Sequence, residues 1–316
     1  MNKNLAICIP TYNRADKLSQ CLNLFLPQVK KHRIPIYVSN NASQDSTLEV
    51  LTNFKEQYDL LFFSSNSSNI GPDANIYNVV CMSNTDYAWI FGDDDVPLPN
   101  SIDYLLGLIT NFKEAPGCIL LNYLLKDVLG KLQPQIKVSD NRKLPDTQFI
   151  HDYFIDIMFI SSLIVDVKAW KNIDPQKYMD SRITHMGTIS ELMVEKDGIV
   201  VAQPCLINTR EECTWFSLAP KIFSQNMMKL IDLLPKEYDD IKYKLKSERK
   251  LGWRHVLGWR SMGAGLEVYE YVKDDNLVNN CLNYIILKIP ALPLKKLVQS
   301  VRVIKAYYKK YSEYSR

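Results

Sequence analysis

Short apolar runs alternate with amphipathic stretches over the first 125 residues of the chain. The apolar runs cover residues 5–9, 36–39, 60–64, 87–91 and 118–125, and each has the length of a strand. In the stretches between them, apolar residues recur at helical spacing. Strands that alternate with helices are typical of βα units. We therefore predict an α/β fold with a mixed, mostly parallel sheet flanked by helices.

The remaining elements follow from the same patterns, with weaker signals after residue 125. We predict helices over residues 15–26, 45–56, 73–82, 100–112 and within 180–194, and strands over residues 159–166 and 199–207. Beyond residue 215 the pattern is mainly helical. We therefore divide the chain into a first domain, residues 1–215, and a helical C-terminal region, residues 216–316.

The composition excludes several classes of protein. With 47% hydrophobic residues the chain can build a large core, which excludes global disorder. A formal charge of +3 over 316 residues excludes a dedicated nucleic-acid binder, so we expect no nucleic-acid partner. The seven cysteines are scattered singly, which favours buried reduced thiols in a reducing compartment. The first apolar run is too short for a signal peptide, and we expect a cytoplasmic protein.

The C-terminal tail, residues 288–316, carries eight basic residues and one acidic residue, a charge of +7. Its apolar positions fall on one helical face: Leu294, Leu297, Val298, Val301, Ile304, Tyr308 and Tyr311. A basic amphipathic helix with tyrosines suits an anionic membrane surface. We therefore expect peripheral attachment to the inner face of the cell membrane. The alternative is a helix packed on the first domain with a solvated basic face.

The most informative loop follows the predicted strand that ends in "YAWIFG". It contains Asp93, Asp94 and Asp95, at the carboxyl end of a buried strand, where α/β sheets bind their ligands. Three adjacent carboxylates repel one another, and a hard divalent cation such as Mn²⁺ or Mg²⁺ removes that conflict. The alternative is a solvated acidic turn that caps the next helix.

Two earlier exit loops carry further candidates for ligand binding. "IPTYNR" presents Pro10, Thr11, Tyr12 and Arg14, whose hydroxyl, aromatic ring and guanidinium suit a ribose, a base and a phosphate. An ordinary loop that caps the next helix is equally compatible with this segment. "VSNNASQDST" offers a compact set of donors and acceptors, but such residues occur in any turn.

Taken together, "IPTYNR", "VSNNASQDST", "NIGPDANI" and "WIFGDDDVPLP" resemble the successive nucleotide-sugar loops of family 2 glycosyltransferases of the GT-A fold. The chain is most similar to the abequosyltransferase-like group of bacterial O-antigen pathways, whose acidic motif also reads GDDD. The resemblance covers residues 5–125 and weakens up to residue 215. It implies transfer of a sugar from a nucleotide diphosphate sugar to a saccharide acceptor, which we expect to be lipid-linked.

The resemblance also assigns donor-binding residues by position. Thr11 and Tyr12 would flank the base and ribose, Asn41 would lie at the base edge, and Asn69 and Asp73 would lie near the donor.

Asn40 and Asn41 stand where many relatives have aspartates. An amide can donate as well as accept, so cytosine becomes possible beside uracil and thymine. The base therefore stays open.

In the acidic loop, the resemblance makes Asp94 the principal metal ligand. Asp93 or Asp95 would contact the ribose or a metal-bound water, and we assign Asp95 to the metal and Asp93 to the donor. Gly92 occupies the usual place of the first carboxylate in the family's D-x-D-D form, so the register is ambiguous.

The resemblance further implies an inverting displacement with a general base. Relatives usually place an Asp, often in an "ED" pair, about 90 residues after the metal motif, and this chain has "KYMDSRITHMGTISELM" there. We rank Asp180 first as the base, with a helix cap as its alternative role. His185 is a candidate base or third metal ligand, and Glu191 is the remaining candidate. Arg210 is a candidate pyrophosphate clamp, with a surface salt bridge as the alternative.

Several rival functions are weaker. A sugar nucleotidyltransferase would need a glycine-rich loop near the N-terminus, and "IPTYNRADKL" contains no glycine. An NTPase is disfavoured because no Walker A sequence occurs. A phosphohydrolase is disfavoured because Pro97 stands where Thr or Val usually follows the D-x-D. A non-catalytic nucleotide-sugar or membrane-binding module stays open, because the "ED" pair is missing.

Overall fold

A computed structural model describes the following residues of the chain: 4–127, 130–209, 218–248, 256–257, 259–260, 285–288 and 290. Ten strands within this part form one sheet. In chain order they are β1 (Leu5–Thr11), β2 (Ile36–Asn40), β3 (Leu61–Ser65), β4 (Tyr87–Ile90), β5 (Val96–Pro97), β6 (Cys118–Lys126), β7 (Leu132–Pro134), β8 (Arg142–Leu144), β9 (Leu163–Asp166) and β10 (Gly198–Asn208).

The helices alternate with the strands through the first part of the chain. They are α1 (Ala15–His32), α2 (Thr47–Gln57), α3 (Gly71–Met82), α4 (Ser101–Thr110), α5 (Asp146–Tyr153), α6 (Val167–Lys171), α7 (Thr184–Met193), α8 (Ala219–Lys221), α9 (Met227–Leu233) and α10 (Asp239–Ser247). A π-helical segment, Ile222–Asn226, joins α8 to α9. Short 3₁₀ turns cover Asp156–Met158, Ile160–Ser162, Gln176–Tyr178 and Lys236–Tyr238.

The main path of the sheet runs in the order β3-β2-β1-β4-β9-β6-β10-β5. The first four strands are parallel, and β1 lies between β2 and β4. β9 is antiparallel to both of its neighbours, β4 and β6. The predicted mixed, mostly parallel sheet is confirmed. Because β1, β2 and β4 run in the same direction, the loops that follow them emerge at one edge of the sheet.

The core is built on the two faces of the central strand. Leu5, Ile7 and Ile9 of β1 belong to one buried cluster with apolar residues of α1, α2 and α4. Because side chains alternate along a strand, Ala6 and Cys8 point to the opposite face, where α3 packs against β1. Within the first cluster, Phe25 lies edge-on to Phe91, with ring centroids 4.7 Å apart. The buried strands thereby hold the loops at their carboxyl ends in place.

Two predicted boundaries were wrong. Helix α1 continues to His32 and contains Pro27, whereas we predicted an end at residue 26. The predicted strand over residues 159–166 is a strand only over Leu163–Asp166, because a 3₁₀ turn over Ile160–Ser162 precedes it. That turn brings Ser161 beneath the loop that follows β4, where its hydroxyl accepts from the backbone N–H of Gly92.

The chain divides into two compact units. The first contains residues 1–125, 134–209 and 233–241, and the second contains residues 126–133, 210–232 and 242–316. The predicted boundary near residue 215 lies outside the described residues. So does most of the predicted basic tail. No helix in the described part of the chain is long and apolar enough to span a bilayer.

The second unit has its own small apolar cluster. It contains Ala219, Val256, Trp259, Ile286 and Leu287, with Phe223 and Leu257 packed against it. In the first unit, the thiols of Cys8, Cys21, Cys118 and Cys205 are buried and free of disulfides. This agrees with the prediction of buried reduced cysteines for these four positions.

Candidate functional site

The candidate site is assembled where β1 and β4 end. β1 ends at Thr11, and its loop presents Tyr12 and Arg14 before α1 begins. β4 ends at Ile90, and two residues separate it from the acidic triplet. Since the two strands are paired in parallel, both loops emerge side by side. The structure therefore brings together residues that are about 80 positions apart in the sequence.

Asp93 is the member of the triplet that contacts both β1 and the loop after it. Its Oδ2 accepts a hydrogen bond of 2.7 Å from the hydroxyl of Thr11, and its Oδ1 lies 3.2 Å from Nη1 of Arg14. Burial raises the pKa of Asp93 to about 6, although Thr11 and Arg14 both oppose that shift. The carboxyl is thus held in one orientation by the last residue of β1 and by Arg14 of the loop that follows.

Asp94 is the most accessible of the three carboxylates. Its side chain is 26% exposed, and its Oδ2 lies 2.6 Å from Nη1 of Arg14. The same guanidinium therefore bridges Asp93 and Asp94. The backbone carbonyl of Asp94 accepts a hydrogen bond of 2.9 Å from the hydroxyl of Thr209, which follows β10. Asp94 is the carboxylate best placed to meet a ligand from solution.

Asp95 is held by a residue that the sequence did not reveal. Ser161 donates a hydrogen bond of 2.5 Å to Oδ2 of Asp95 and accepts one of 2.8 Å from the backbone N–H of Gly92. The carbonyl of Ser161 in turn accepts from the indole of Trp89 at 2.8 Å. Burial raises the pKa of Asp95 to about 7, and the neighbouring carboxylates of Asp94 and Asp93 add to that shift.

Among the described residues, the ion pairs of this triplet come from one guanidinium, that of Arg14. The remaining negative charge is what a hard divalent cation would balance. Magnesium and manganese are commonly bound by one or two carboxylates, with phosphate and water oxygens completing the shell. The part-exposed Asp94 and the adjacent Asp95 fit that role.

The third predicted metal ligand does not join this pair. Within the part of the chain that the structure describes, no three His, Cys, Asp or Glu side chains are grouped so that they could hold a metal ion. His185 is buried, and its Nε2 lies 3.1 Å from the carbonyl oxygen of Met158. Burial lowers the pKa of His185, so the imidazole is neutral near pH 7. Its Nδ1 has no hydrogen-bond partner among the described residues.

The amides of the loop after β2 form a second polar cluster at the same edge. Asn41 donates from Nδ2 to Oδ1 of Asn69 and to the carbonyl of Gly71, at 2.9 and 3.3 Å. Its Oδ1 accepts from Nδ2 of Asn66 and the backbone N–H of Ile70, at 3.1 and 2.9 Å. The side chain of Asn41 is therefore engaged on both its donor and its acceptor atoms by the loop before α3.

Asn40 and Asn75 extend this cluster towards the sheet. Asn40 donates to the hydroxyl of Ser65 at 3.0 Å and accepts from the backbone N–H of Ser43 at 3.1 Å. Asn75 is buried; its Oδ1 accepts from the hydroxyl of Ser39 at 2.7 Å, and its Nδ2 donates to the carbonyl of Ser39 at 3.1 Å. We call the side chains of Asn40, Asn41, Asn66, Asn69 and Asn75 the amide cluster.

The loop after β1 is shaped by short contacts to the loop after β2. Asn13 has a left-handed backbone, with a φ of 52°, and its backbone N–H donates to the hydroxyl of Ser43 at 2.8 Å. Asp45 accepts from the backbone N–H of Ala15 at 2.9 Å and so satisfies the first turn of α1. Pro10 is half-buried within β1, whereas Tyr12 is 42% exposed. Tyr12 is thus available for stacking.

Asp73 does not face this loop with a free carboxylate. Its Oδ2 accepts from the backbone N–H of Arg182 at 2.7 Å, and its Oδ1 accepts from the backbone N–H of Thr184 at 3.2 Å. Thr184 is the first residue of α7, and Arg182 lies two residues before it. Asp73 is therefore an anchor for the start of α7, a contact that the sequence analysis did not foresee.

The remaining predicted catalytic residues are dispersed around α7. Asp180 is exposed and precedes the helix. Glu191 lies six residues after His185, roughly 9 Å along the helix axis. It is paired with Lys177 and accepts from the hydroxyl of Tyr178 at 2.9 Å. These contacts hold its carboxylate against the turn over Gln176–Tyr178. Arg210 lies outside the described residues.

The sequence of the first part of the chain matches a known family. The family model described as Glycosyl transferase family 2 matches residues 6–158. This segment includes both strands of the site, Arg14 and the acidic triplet. Over it, the chain is similar to glycosyltransferase family 2, as the resemblance of its loops predicts.

A curated relative supports the same grouping. Abequosyltransferase RfbV of Salmonella typhimurium is 28% identical over an alignment of 187 residues, and the match covers 54% of this chain and 55% of the relative. The chain therefore spans about half the length of the curated relative that it matches. The predicted resemblance to the abequosyltransferase-like group is confirmed.

Solved structures share the fold. TarS of S. aureus in complex with UDP-GlcNAc has a TM-score of 0.61 and 15% identity, over 85% of this chain and 78% of that one. Mannosyltransferase PcManGT from Pyrobaculum calidifontis in complex with GDP-Man and Mn²⁺ has a TM-score of 0.57 and 14% identity, over 99% and 83% of the two chains. These likenesses confirm the predicted GT-A fold.

Proposed function

We propose that this protein, a family 2 glycosyltransferase, transfers a sugar from a nucleotide diphosphate sugar to a saccharide acceptor in the assembly of a bacterial surface polysaccharide. The observation that carries the proposal is the acidic triplet at the end of β4, with the Arg14 guanidinium lying across Asp93 and Asp94. This is a charged, part-exposed site at the edge where α/β sheets bind nucleotides.

The donor is placed by the two loops that meet there. The exposed ring of Tyr12 supplies a face for the base, and Thr11 and Asp93 supply polar groups for the ribose. Arg14 attracts the diphosphate and can exchange its carboxylate partners for phosphate oxygens. Because the side chain of Asn41 is engaged by the protein, it can read the base only if the loop before α3 moves.

Asp94, with Asp95, would hold a divalent cation, Mn²⁺ or Mg²⁺. When bound, such an ion neutralises the charge that develops on the departing diphosphate. Support comes from the uncompensated charge of the triplet and from the Mn²⁺ named with the similar mannosyltransferase structure. The protein's own part is to keep Asp93 and Asp95 oriented through Thr11 and Ser161, so that binding requires little rearrangement.

Inversion requires a base on the acceptor side of the sugar. Asp180 is the candidate, since it is exposed and lies beside the start of α7. It would take the proton from the acceptor hydroxyl as the oxygen attacks the anomeric carbon and the carbon–diphosphate bond breaks. His185 is buried and Glu191 is paired, so neither is as accessible.

The acceptor is proposed to be lipid-linked, and the protein to work at the inner face of the membrane. The support is the charge of +7 over residues 288–316 and their amphipathic pattern. Deletion of residues 288–316 should release the protein from vesicles that contain anionic lipid. Unchanged vesicle association after the deletion would refute the membrane assignment.

A donor panel tests the central proposal. We expect one of UDP, GDP, CDP and dTDP to bind more tightly with Mn²⁺ than without it in calorimetry. The sugar derivatives of that nucleotide should be hydrolysed slowly without acceptor. A non-catalytic binding module would bind the nucleotide without releasing it from any sugar. The absence of metal-dependent binding across the whole panel would refute the proposed function.

A further inference from the structure

We propose that Asp73 is a positioning residue, which holds the turn over residues 180–183 and presents Asp180 at the edge of the sheet. This inference rests on the proposed function, since it concerns the candidate base of that reaction. It also changes the role of Asp73, which the loop resemblance placed next to the donor.

Both carboxylate oxygens of Asp73 are used by the start of α7. The backbone N–H groups of Arg182 and Thr184 donate to them at 2.7 and 3.2 Å. Asp73 is 6% exposed and lies more than 100 positions away in the sequence. A buried carboxylate that receives two backbone N–H groups is fixed in place, and it in turn fixes the backbone that donates.

The turn that Asp73 holds is unfavourable by itself. Asp180 and Arg182 have φ values of 64° and 66°, which only glycine adopts without steric cost. Local bonds also support the turn, among them Thr184 Oγ1 to the carbonyl of Tyr178 at 2.6 Å and the N–H of Ile183 to the hydroxyl of Ser181 at 3.1 Å. Backbone strain of this kind persists only where the surroundings enforce it, and Asp73 provides the contact from outside the turn.

The position of Asp73 also decides where the turn lies. Asp73 is in the first turn of α3, which follows β3, a strand parallel to β2 and β1. The first turns of such helices lie at the carboxyl edge of the sheet, the edge at which Asp94 lies. The contact therefore brings the turn over residues 180–183, which carries Asp180, to the same edge as the acidic triplet. Asp73 therefore connects the start of α3, which the loop resemblance places near the donor, to the turn that carries the candidate base.

The contact itself can be tested by hydrogen exchange. In Asp73→Asn the side chain keeps its volume and one acceptor, but its NH₂ group faces one of the two backbone N–H donors. In Asp73→Ala both acceptors are removed. We expect the amides of Arg182 and Thr184 to exchange at least tenfold faster in both variants, measured by mass spectrometry on the peptide over residues 180–186. Circular dichroism establishes that each variant is folded.

The matched control is Asp166→Asn. Asp166 also caps a helix, since it accepts from the backbone N–H of Ala169 at 2.9 Å. Its other oxygen lies 3.0 Å from Nζ of Lys196, and no hydrogen bond or ion pair among the described residues joins it to the turn over residues 180–183. The control therefore applies the same carboxylate-to-amide change at a helix cap, and we expect normal exchange over residues 180–186 and normal turnover.

The decisive comparison is between nucleotide affinity and turnover. For the nucleotide of the panel that the wild type binds best, Asp73→Asn should keep its affinity with Mn²⁺ within about twofold. Release of that nucleotide from its sugar derivative should fall by roughly 10- to 100-fold. A purely structural cap would lower neither of these in a folded protein, and a donor contact would lower both.

Three outcomes would overturn the proposal. Nucleotide affinity that falls in step with turnover would make Asp73 a donor contact. Faster exchange with normal turnover would show that the geometry of the turn is irrelevant to the reaction. A wild type that binds no nucleotide and hydrolyses no nucleotide sugar would refute the proposed function itself, and the positioning role with it. Because this last failure appears in the wild type, it is distinguishable from the first two.

Discussion

The amide cluster and the acidic triplet lie at the same edge of the sheet, but their polar side chains are stabilised in different ways. In the amide cluster, Asn40, Asn41 and Asn75 each donate and accept, so neutral groups pair with one another within a few residues of β2 and α3. In the acidic triplet, three carboxylates can only accept, and the described ion pairs come from Arg14 alone. The buried amides of Asn41 and Asn75 are paired within the protein on both their donor and acceptor atoms, whereas the triplet is balanced by adding positive charge.

The contrast predicts that substitutions in the amide cluster lower stability and that substitutions in the acidic triplet lower activity. Removal of a member of the amide cluster leaves buried partners without hydrogen bonds, which costs stability. Removal of a carboxylate from the triplet relieves repulsion, so it should cost activity instead. Four substitutions or ligand additions test this division, and they are arranged from the largest expected effect to the smallest.

The largest effect is expected for Asp94→Ala. It should lower nucleotide release from the donor by roughly 10³-fold, or about 4 kcal/mol, and remove the Mn²⁺-dependent part of nucleotide binding. The midpoint of thermal unfolding should stay the same or rise, because one of three adjacent negative charges is gone. Asp103→Asn, which breaks a surface pair with Lys31, serves as the control and should leave turnover unchanged. Normal turnover in Asp94→Ala would contradict the metal assignment.

The reverse pattern is expected for Asn75→Ala. The hydroxyl and carbonyl of buried Ser39 lose their partner, so the free energy of unfolding should fall by about 3 kcal/mol in urea titrations. Asn23→Ala, an exposed change on α1, should cost about 0.5 kcal/mol or less. Equal losses in the two variants would mean that the amide cluster does not stabilise the edge.

Mn²⁺ should stabilise the protein in a pH-dependent way. The folded-state pKa values of Asp93 and Asp95, about 6 and about 7, lie above the usual 3.8 because both are buried. Without metal, stability therefore falls as the pH rises from the usual carboxyl pKa to these raised values, since the unfolded chain has already lost the protons that the folded protein must give up from a buried site.

Mn²⁺ competes with those protons, so its effect should be larger at pH 8 than at pH 5.5. At 100 times its dissociation constant it contributes about 2.7 kcal/mol, which raises the unfolding midpoint by several degrees. Calorimetric scans at the two pH values, with and without Mn²⁺, measure this directly. A shift that is equal at both pH values would show that the ion binds elsewhere.

The smallest effect is expected for Thr11→Val. The change removes the hydrogen bond of 2.7 Å to Asp93 and keeps the shape of the side chain. Loss of a bond to a charged group costs about 1.5 kcal/mol, so nucleotide affinity should fall about tenfold. Thr52→Val, which removes an exposed helix contact, should leave affinity unchanged. Unchanged affinity in Thr11→Val would remove Thr11 from the donor site.

The sequence predicted those parts of the site that follow directly from strand ends. Asp93, Asp94 and Thr11 end or follow buried strands, and the βα pattern alone placed them together. Ser161 was missed because an apolar run hid a 3₁₀ turn within a predicted strand. The partners of Asp73 and Asn75 were missed because hydrogen bonds between distant loops leave no periodic signal.

The role of Glu191 shows another limit. Its residue type made it a candidate base, but Lys177 and Tyr178 satisfy its carboxylate. Both partners lie more than ten positions earlier, in a 3₁₀ turn that the sequence did not reveal. Charge and spacing identify residues able to do chemistry, and burial and pairing decide which of them are free to do it.

Gly92 leaves little space for a side chain at the position where, by the loop resemblance, relatives carry a carboxylate. A Cβ at position 92 would lie 3.2 Å from each of Asp94 Oδ1, Asp95 Oδ2 and Ser161 Oγ. Introducing an aspartate there would crowd a fourth carboxylate onto the existing triplet. A side chain at position 92 would therefore require these three side-chain atoms to shift by a few tenths of an ångström, so the present orientation of Asp95 and Ser161 depends on the absence of a Cβ there.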